Sequence, residues 1–102
     1  EQGIILFNSQ HYFEAHEVWE GLWQDTADEN RLLYQGLIHV AVGLHHLEKC
    51  NSRGGNSQLR KAVAKLKPYG RSSRGIDLQD LVGQLGKVLD DVNWGPLLIR
   101  RL

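Results

Sequence analysis

Residues 32–47, LLYQGLIHVAVGLHHL, are apolar on nearly every side of a helical wheel. A helix of this kind must be covered by neighbours on several faces, which makes it the centre of a bundle. It is shorter than the roughly 20 apolar residues needed to span a bilayer, so a soluble protein is expected. One stripe of it carries Leu32, Gln35, Gly36, His39, Val42, Gly43 and His46 at i, i+3, i+4 and i+7 spacings. Gly36 and Gly43 each cost roughly 1 kcal/mol relative to alanine in an isolated helix. They make sense if another helix approaches closely there.

The remaining elements are read from the same periodicity, since nothing in the chain alternates convincingly with period two. A helix is expected from Ser9, as N-cap, to Asp25, with Tyr12, Ala15, His16, Trp19 and Trp23 on its inner face. Glu20 falls at the edge of that face; Glu14 and Glu17 fall outside it. The central helix should start at Asp28 and run to Lys49, where NSRGGN breaks it. A third helix, Gly55 to Lys67, buries Leu59, Ala62, Val63 and Leu66 and is ended by Pro68. After the flexible-looking YGRSSRG, Asp77 caps a fourth helix with Leu78, Leu81, Val82, Leu85, Leu89 and Val92 inside. A leading helical piece at GIILF adds to these, and the apolar tail NWGPLLIRRL packs back on the bundle or on another subunit. The fold class is therefore all-α: a small antiparallel helical bundle of four to five helices, one domain over residues 1–102.

A chain of 102 residues with 41% hydrophobic content can bury one core without staples. Cys50 is the only cysteine, read as a surface thiol near a helix end; no internal disulfide can form, and a reducing, cytoplasmic location is expected. No signal-peptide pattern opens the chain, and no membrane partner is expected. There is no methionine, even at position 1, so the chain is expected to lack its true start. Net charge is zero, yet residues 1–30 carry acids and no lysine or arginine, whereas residues 49–76 carry bases and no acid. Two self-complementary or solvated helix faces explain this as well as an anion-binding face does. Nucleic-acid binding through 49–76, with Tyr69 as a stacking ring, is not expected, because no recognised binding motif accompanies the charge.

The polar residues gather across the first hairpin. A short connection, Asp25 to Asp28, makes the first two main helices antiparallel. Reflection about its middle sets His16 level with His39, Glu20 with Gln35, Tyr12 with Gly43, and Trp23 with Leu32. The candidate polar centre is thus His16, Glu20, Gln35 and His39. A carboxylate under apolar cover costs several kcal/mol if unpaired, so Glu20 should have a histidine or glutamine partner. Either Glu20 orients a histidine whose other nitrogen faces a cleft as base, ligand or donor, or the four residues only satisfy one another and fix helix register.

Specific chemistries are then weighed against ligand count. HEVWE is one letter from the H-E-x-x-H zinc signature, with Glu20 in place of the second histidine and no third ligand dictated by spacing. A di-iron bundle fails because the chain has no Glu-x-x-His and too few inward glutamates. A single divalent metal held by His16, Glu20 and His39 keeps the two-histidine, one-carboxylate pattern and is the metal site carried forward. His46 would act in a separate layer, near Gln10 or His11, and His45 points to a different face. No serine lies in a nucleophile elbow. Arg53, Gly54, Gly55 and Asn56 precede the expected third helix, where an anion could bind, although a glycine pair is more often a connection.

FNSQHYFEAHEVWEGLW followed by YQGLIHVAVGLHHLEKCNSRGG resembles a bacterial, cyanobacterial and plant-plastid family, domain of unknown function 309. The resemblance runs from about Phe7 to Asp77. It implies a small all-helical fold and marks Glu14, His16, Glu17, Glu20, Trp23, Gln35, Gly36 and His46 as family-motif positions. It implies no activity. Two functions stay open: a metal or small-molecule site at the polar centre, or a structural or protein-interaction module, with self-association through an exposed tryptophan or the tail.

Overall fold

The computed structural model describes residues 2–90 and 96–101. Five helices carry the fold: α1 (Gln2–Asn8), α2 (Tyr12–Asp25), α3 (Asn30–Glu48), α4 (Ser52–Leu66) and α5 (Leu78–Asp90). A 3-10 turn (Lys67–Tyr69) and a two-residue hairpin, β1 (Ser72–Ser73) with β2 (Ile76–Asp77), join α4 to α5. The all-α bundle is as expected, with α3 at its centre between α2 and α4. Leu33, Leu37, Val40, Ala41 and Leu44 of α3 are buried, together with Phe7, Tyr12, Ala15 and Trp19 from the first two helices and Leu59, Ala62, Leu66, Leu78, Leu81 and Leu85 from the last two.

The leading piece at GIILF is the separate helix α1, and the first main helix starts later than Ser9. Ser9 is not an N-cap: α1 ends ahead of it, and Gln10 takes a left-handed φ of 66°. The Gln10 amide donates to the Phe7 carbonyl and the His11 amide to Leu6, both at 2.9 Å, which closes a Schellman turn before α2 starts at Tyr12. Without a glycine the turn left no mark in the sequence. Cys50, φ 62°, repeats the device after α3: its amide donates to Leu47 and that of Asn51 to His46. The Cys50 side chain is exposed, as expected.

The third helix starts earlier than Gly55. Asn51 caps it, its Oδ1 accepting from the Gly54 amide at 3.0 Å, so Arg53, Gly54, Gly55 and Asn56 form its opening turns. The Gly54 and Gly55 amides are both taken by Asn51, which removes the anion cradle considered for this stretch. The two glycines read as a loop signal serve different ends, and Gly55 serves packing. A Cβ built on it would stand 2.9 Å from the Gly43 carbonyl oxygen and 2.7 Å from Leu47 Cδ2. A Cβ on Gly43 would meet Leu59 Cδ2 at 2.7 Å, and one on Gly36 would meet Leu66 Cδ2 at 2.5 Å. The close approach expected at Gly36 and Gly43 is thus made by α4.

Asp77 caps α5, accepting from the Asp80 amide at 3.0 Å. The segment YGRSSRG is ordered into the hairpin, with Arg74 (φ 50°) and Gly75 (φ 77°) both left-handed at its tip, the requirement of a type I′ turn. The tail packs on the bundle. Asn8 holds Ile99 by two hydrogen bonds, its Nδ2 donating to the Ile99 carbonyl at 3.1 Å and its Oδ1 accepting from the Ile99 amide at 2.8 Å. Gln84 makes the same pair of bonds with Leu98. Leu97 and Ile99 are buried in consequence. Val92 and Trp94, expected on the inner face of the last helix and in the tail, lie outside the described residues.

Candidate functional site

Two residues of the expected polar centre pair on α2, and a third, His39, is bonded to α4. On α2, His16 Nε2 lies 2.9 Å from Glu20 Oε2, one helical turn away, as the i, i+4 spacing provides. The histidine Nδ1 lies 3.3 Å from the Phe13 carbonyl oxygen, so both ring nitrogens face oxygen acceptors. The Glu20 side chain is 46% exposed and that of His16 20%. Glu20 therefore keeps much of its hydration, and the desolvation cost that seemed to demand several partners is not incurred.

His39 belongs elsewhere. Its Nδ1 donates to Gln58 Oε1 of α4 at 2.6 Å. Burial holds its pKa below the ordinary histidine value; the Gln58 bond opposes that shift, and the charges of Lys65 and Lys61 add to it. Equal height along a hairpin does not mean a shared face: the stripe Gly36–His39–Gly43 is turned to α4, as the glycine contacts require. Gln35, on the same helix, is half-buried. The three-ligand set His16, Glu20 and His39 is not assembled, and among the described residues no group of three His, Cys, Asp or Glu side chains is placed to hold a metal ion.

Different residues surround the His16–Glu20 pair. Phe13, 49% exposed, has its ring 5.4 Å from that of His16 and 5.5 Å from that of His45, so His45 of α3 faces α2 across an aromatic bridge. His45 lies off the glycine stripe, and for that reason it reaches the other neighbour. His46, in the last turn of α3, lies next to Asn51, whose Nδ2 is 3.4 Å from its Nδ1. His11 pairs with Glu14 at 3.4 Å.

The other motif positions support the helices. Glu14 and Glu17 are exposed, and Gly36 is buried at the α3–α4 crossing. Trp23 is covered by Arg31, whose guanidinium carbon is 4.3 Å from the ring centroid and whose Nη1 donates to the Trp23 and Thr26 carbonyls. This closes the α2–α3 turn. The Trp19 ring packs 5.9 Å from that of Phe7, and Tyr12 meets Phe7 edge-on at 5.0 Å. Tyr69 donates to the Glu29 carbonyl, pinning the 3-10 turn to the same connection.

A family model described as Domain of unknown function (DUF309) matches residues 1–57, from α1 into the start of α4. The chain belongs to the DUF309 family. The match stops short of Asp77, the end of the sequence resemblance. Among curated relatives, an "Uncharacterized protein" of Aquifex aeolicus (strain VF5) is 29% identical over 90 residues, covering 87% of this chain and 27% of the relative. "Uncharacterized protein YpuF" of Bacillus subtilis (strain 168) is 28% identical over 82 residues, covering 79% of this chain and 46% of the relative. This DUF309 chain thus spans about a quarter of one relative and just under half of the other. No described helix is long and apolar enough to cross a membrane.

Proposed function

We propose that this domain is a non-catalytic helical module for protein interaction, in which the histidine pairs fix helix packing. The bond from His39 to Gln58 carries this reading. It takes the histidine best placed to complete a metal or acid–base centre and commits it to holding α3 against α4. The exposed acids of α2 and the bases of α4 supply surfaces for a protein partner or a second copy. The relatives' greater length suits a module within a larger assembly.

The test is metal analysis of untagged protein purified without chelator, alongside His16→Ala and His39→Ala, with thermal melts of all three. The module reading expects sub-stoichiometric divalent metal in every sample, a lowered melting temperature for His39→Ala, and a smaller change for His16→Ala, whose partner Glu20 is 46% exposed. Near-stoichiometric metal lost in both folded variants would overturn it.

A second reading is favoured by one observation: His16 and Glu20 are paired yet open to solvent, beside the rings of Phe13 and His45. There His16 would serve as acid, base or donor toward a small molecule, with Glu20 orienting it. Loss of ligand binding in a folded His16→Ala variant distinguishes this from the module reading.

A further inference from the structure

The two helices that flank α3 carry opposite charge. Glu14, Glu17, Glu20 and Asp25 stand on α2 with no lysine or arginine, and Arg53, Arg60, Lys61 and Lys65 stand on α4 with no acid. Both helices pack on α3, which lies between them. Among the described residues no ion pair joins the two sets, and Glu17, Asp25, Arg53, Arg60 and Lys61 are exposed. Folding thus leaves the charge separation of the sequence in place.

The outward residues of the two helices also match in spacing. Along α2, Glu17, Gly21 and Asp25 follow one another four residues apart and form one surface ridge, with an acid about 6 Å to either side of the glycine at roughly 1.5 Å per residue. Along α4, Arg53, Ser57 and Lys61 form the same ridge with bases at its ends, and Arg60 stands beside Lys61. The centre of each ridge is small and exposed. Nothing lies within 4 Å of a Cβ built on Gly21, whereas the space beside Gly36, Gly43 and Gly55 is filled by the facing helix. The centre of the acidic ridge is therefore open to a helix from outside the chain.

We infer that the Glu17–Gly21–Asp25 face of one copy of this chain docks on the Arg53–Ser57–Lys61 face of another. Ridges built on four-residue spacing lie side by side when two helices pack, and small residues at the crossing allow interaxial distances of roughly 8–10 Å. In that arrangement each acid at a ridge end meets a base of the other copy. The inference rests on the module reading and names its partner as a second copy. Exposed ion pairs are individually weak and are screened by salt, so the contact is strongest at low ionic strength.

Sedimentation equilibrium of the untagged chain tests this in about 10 mM and about 1 M salt, where the Debye length falls from about 30 Å to about 3 Å. The apparent mass should exceed that of a monomer at low salt and rise with concentration, and association should weaken at least tenfold at high salt. Two double reversals, Glu17→Lys with Asp25→Lys and Arg53→Glu with Lys61→Glu, should each stay monomeric alone. Mixed, the first bearing bases on both faces and the second acids on both, they should associate. Gly21→Gln keeps every charge and should raise Tm, since glutamine is the better helix former and the position is open, yet it should weaken association at least tenfold. A parent chain that stays monomeric at low salt would overturn the inference and return both faces to a different protein partner, while the module reading stands or falls on the metal analysis. Reversals that associate alone, a mixture that does not associate, or a folded Gly21→Gln variant that associates as the parent does would overturn it as well.

Discussion

Gly43→Ala should destabilise this protein, although alanine is the better helix former. The added methyl would stand 2.7 Å from Leu59 Cδ2, 2.9 Å from Leu59 Cγ and 3.1 Å from the Gly55 carbonyl oxygen. Leu59 is fully buried, and the third neighbour is backbone. Relief therefore requires α3 and α4 to move apart. Overpacking of this kind costs about 1–3 kcal/mol. The gain in intrinsic helix propensity is about 1 kcal/mol. With two obstructions that cannot yield independently, the upper part of the overpacking range applies, leaving a net loss of about 1–2 kcal/mol after the gain is subtracted. For a domain of this size that corresponds to a fall in Tm of roughly 5–15 °C. The control is Gly83→Ala in α5, where nothing lies within 4 Å of the added carbon. Only the propensity gain of about 1 kcal/mol remains there, and Tm should rise by roughly 4–8 °C. Thermal denaturation followed by circular dichroism reads both. A Gly43→Ala melt at or above that of the parent chain, or both variants moving in one direction, would refute the close-crossing argument.

Two further outcomes follow from single residues. Asn51→Ala removes the cap on α4 and should cost about 1 kcal/mol in denaturant unfolding, whereas Asn51→Asp, which keeps an acceptor, should cost less. Stability should also depend on pH through His39, whose pKa in the folded protein is lowered from the ordinary 6.5, chiefly by burial. Below 6.5 the unfolded chain takes up a proton that the folded chain resists, so stability falls as pH drops through that window; above it the contribution is constant. His39→Gln should flatten that part of the profile in urea titrations between roughly pH 5 and 7, the interval in which histidine changes charge.

Much of the fold is legible in residue periodicity because a helix buries its apolar stripe whatever covers it. The all-round apolar α3, the Asp77 cap and the inward leucines of α5 are properties of local sequence, and so is the need for close approach at Gly36 and Gly43. The i, i+4 pairing of His16 with Glu20 is local too, since one helix contains both. What only the tertiary structure decided is which neighbour each face meets. The rotation of α3 between two helices gave His39 to Gln58 and His45 to Phe13, splitting a polar centre that heights along the hairpin had joined. Left-handed turns at Gln10 and Cys50 carry no glycine to announce them. The amide grips of Asn8 and Gln84 on the tail join residues far apart in the chain. Periodicity fixes a residue's direction relative to its own helix axis; the rotation of that axis among its neighbours is set by packing of the whole core.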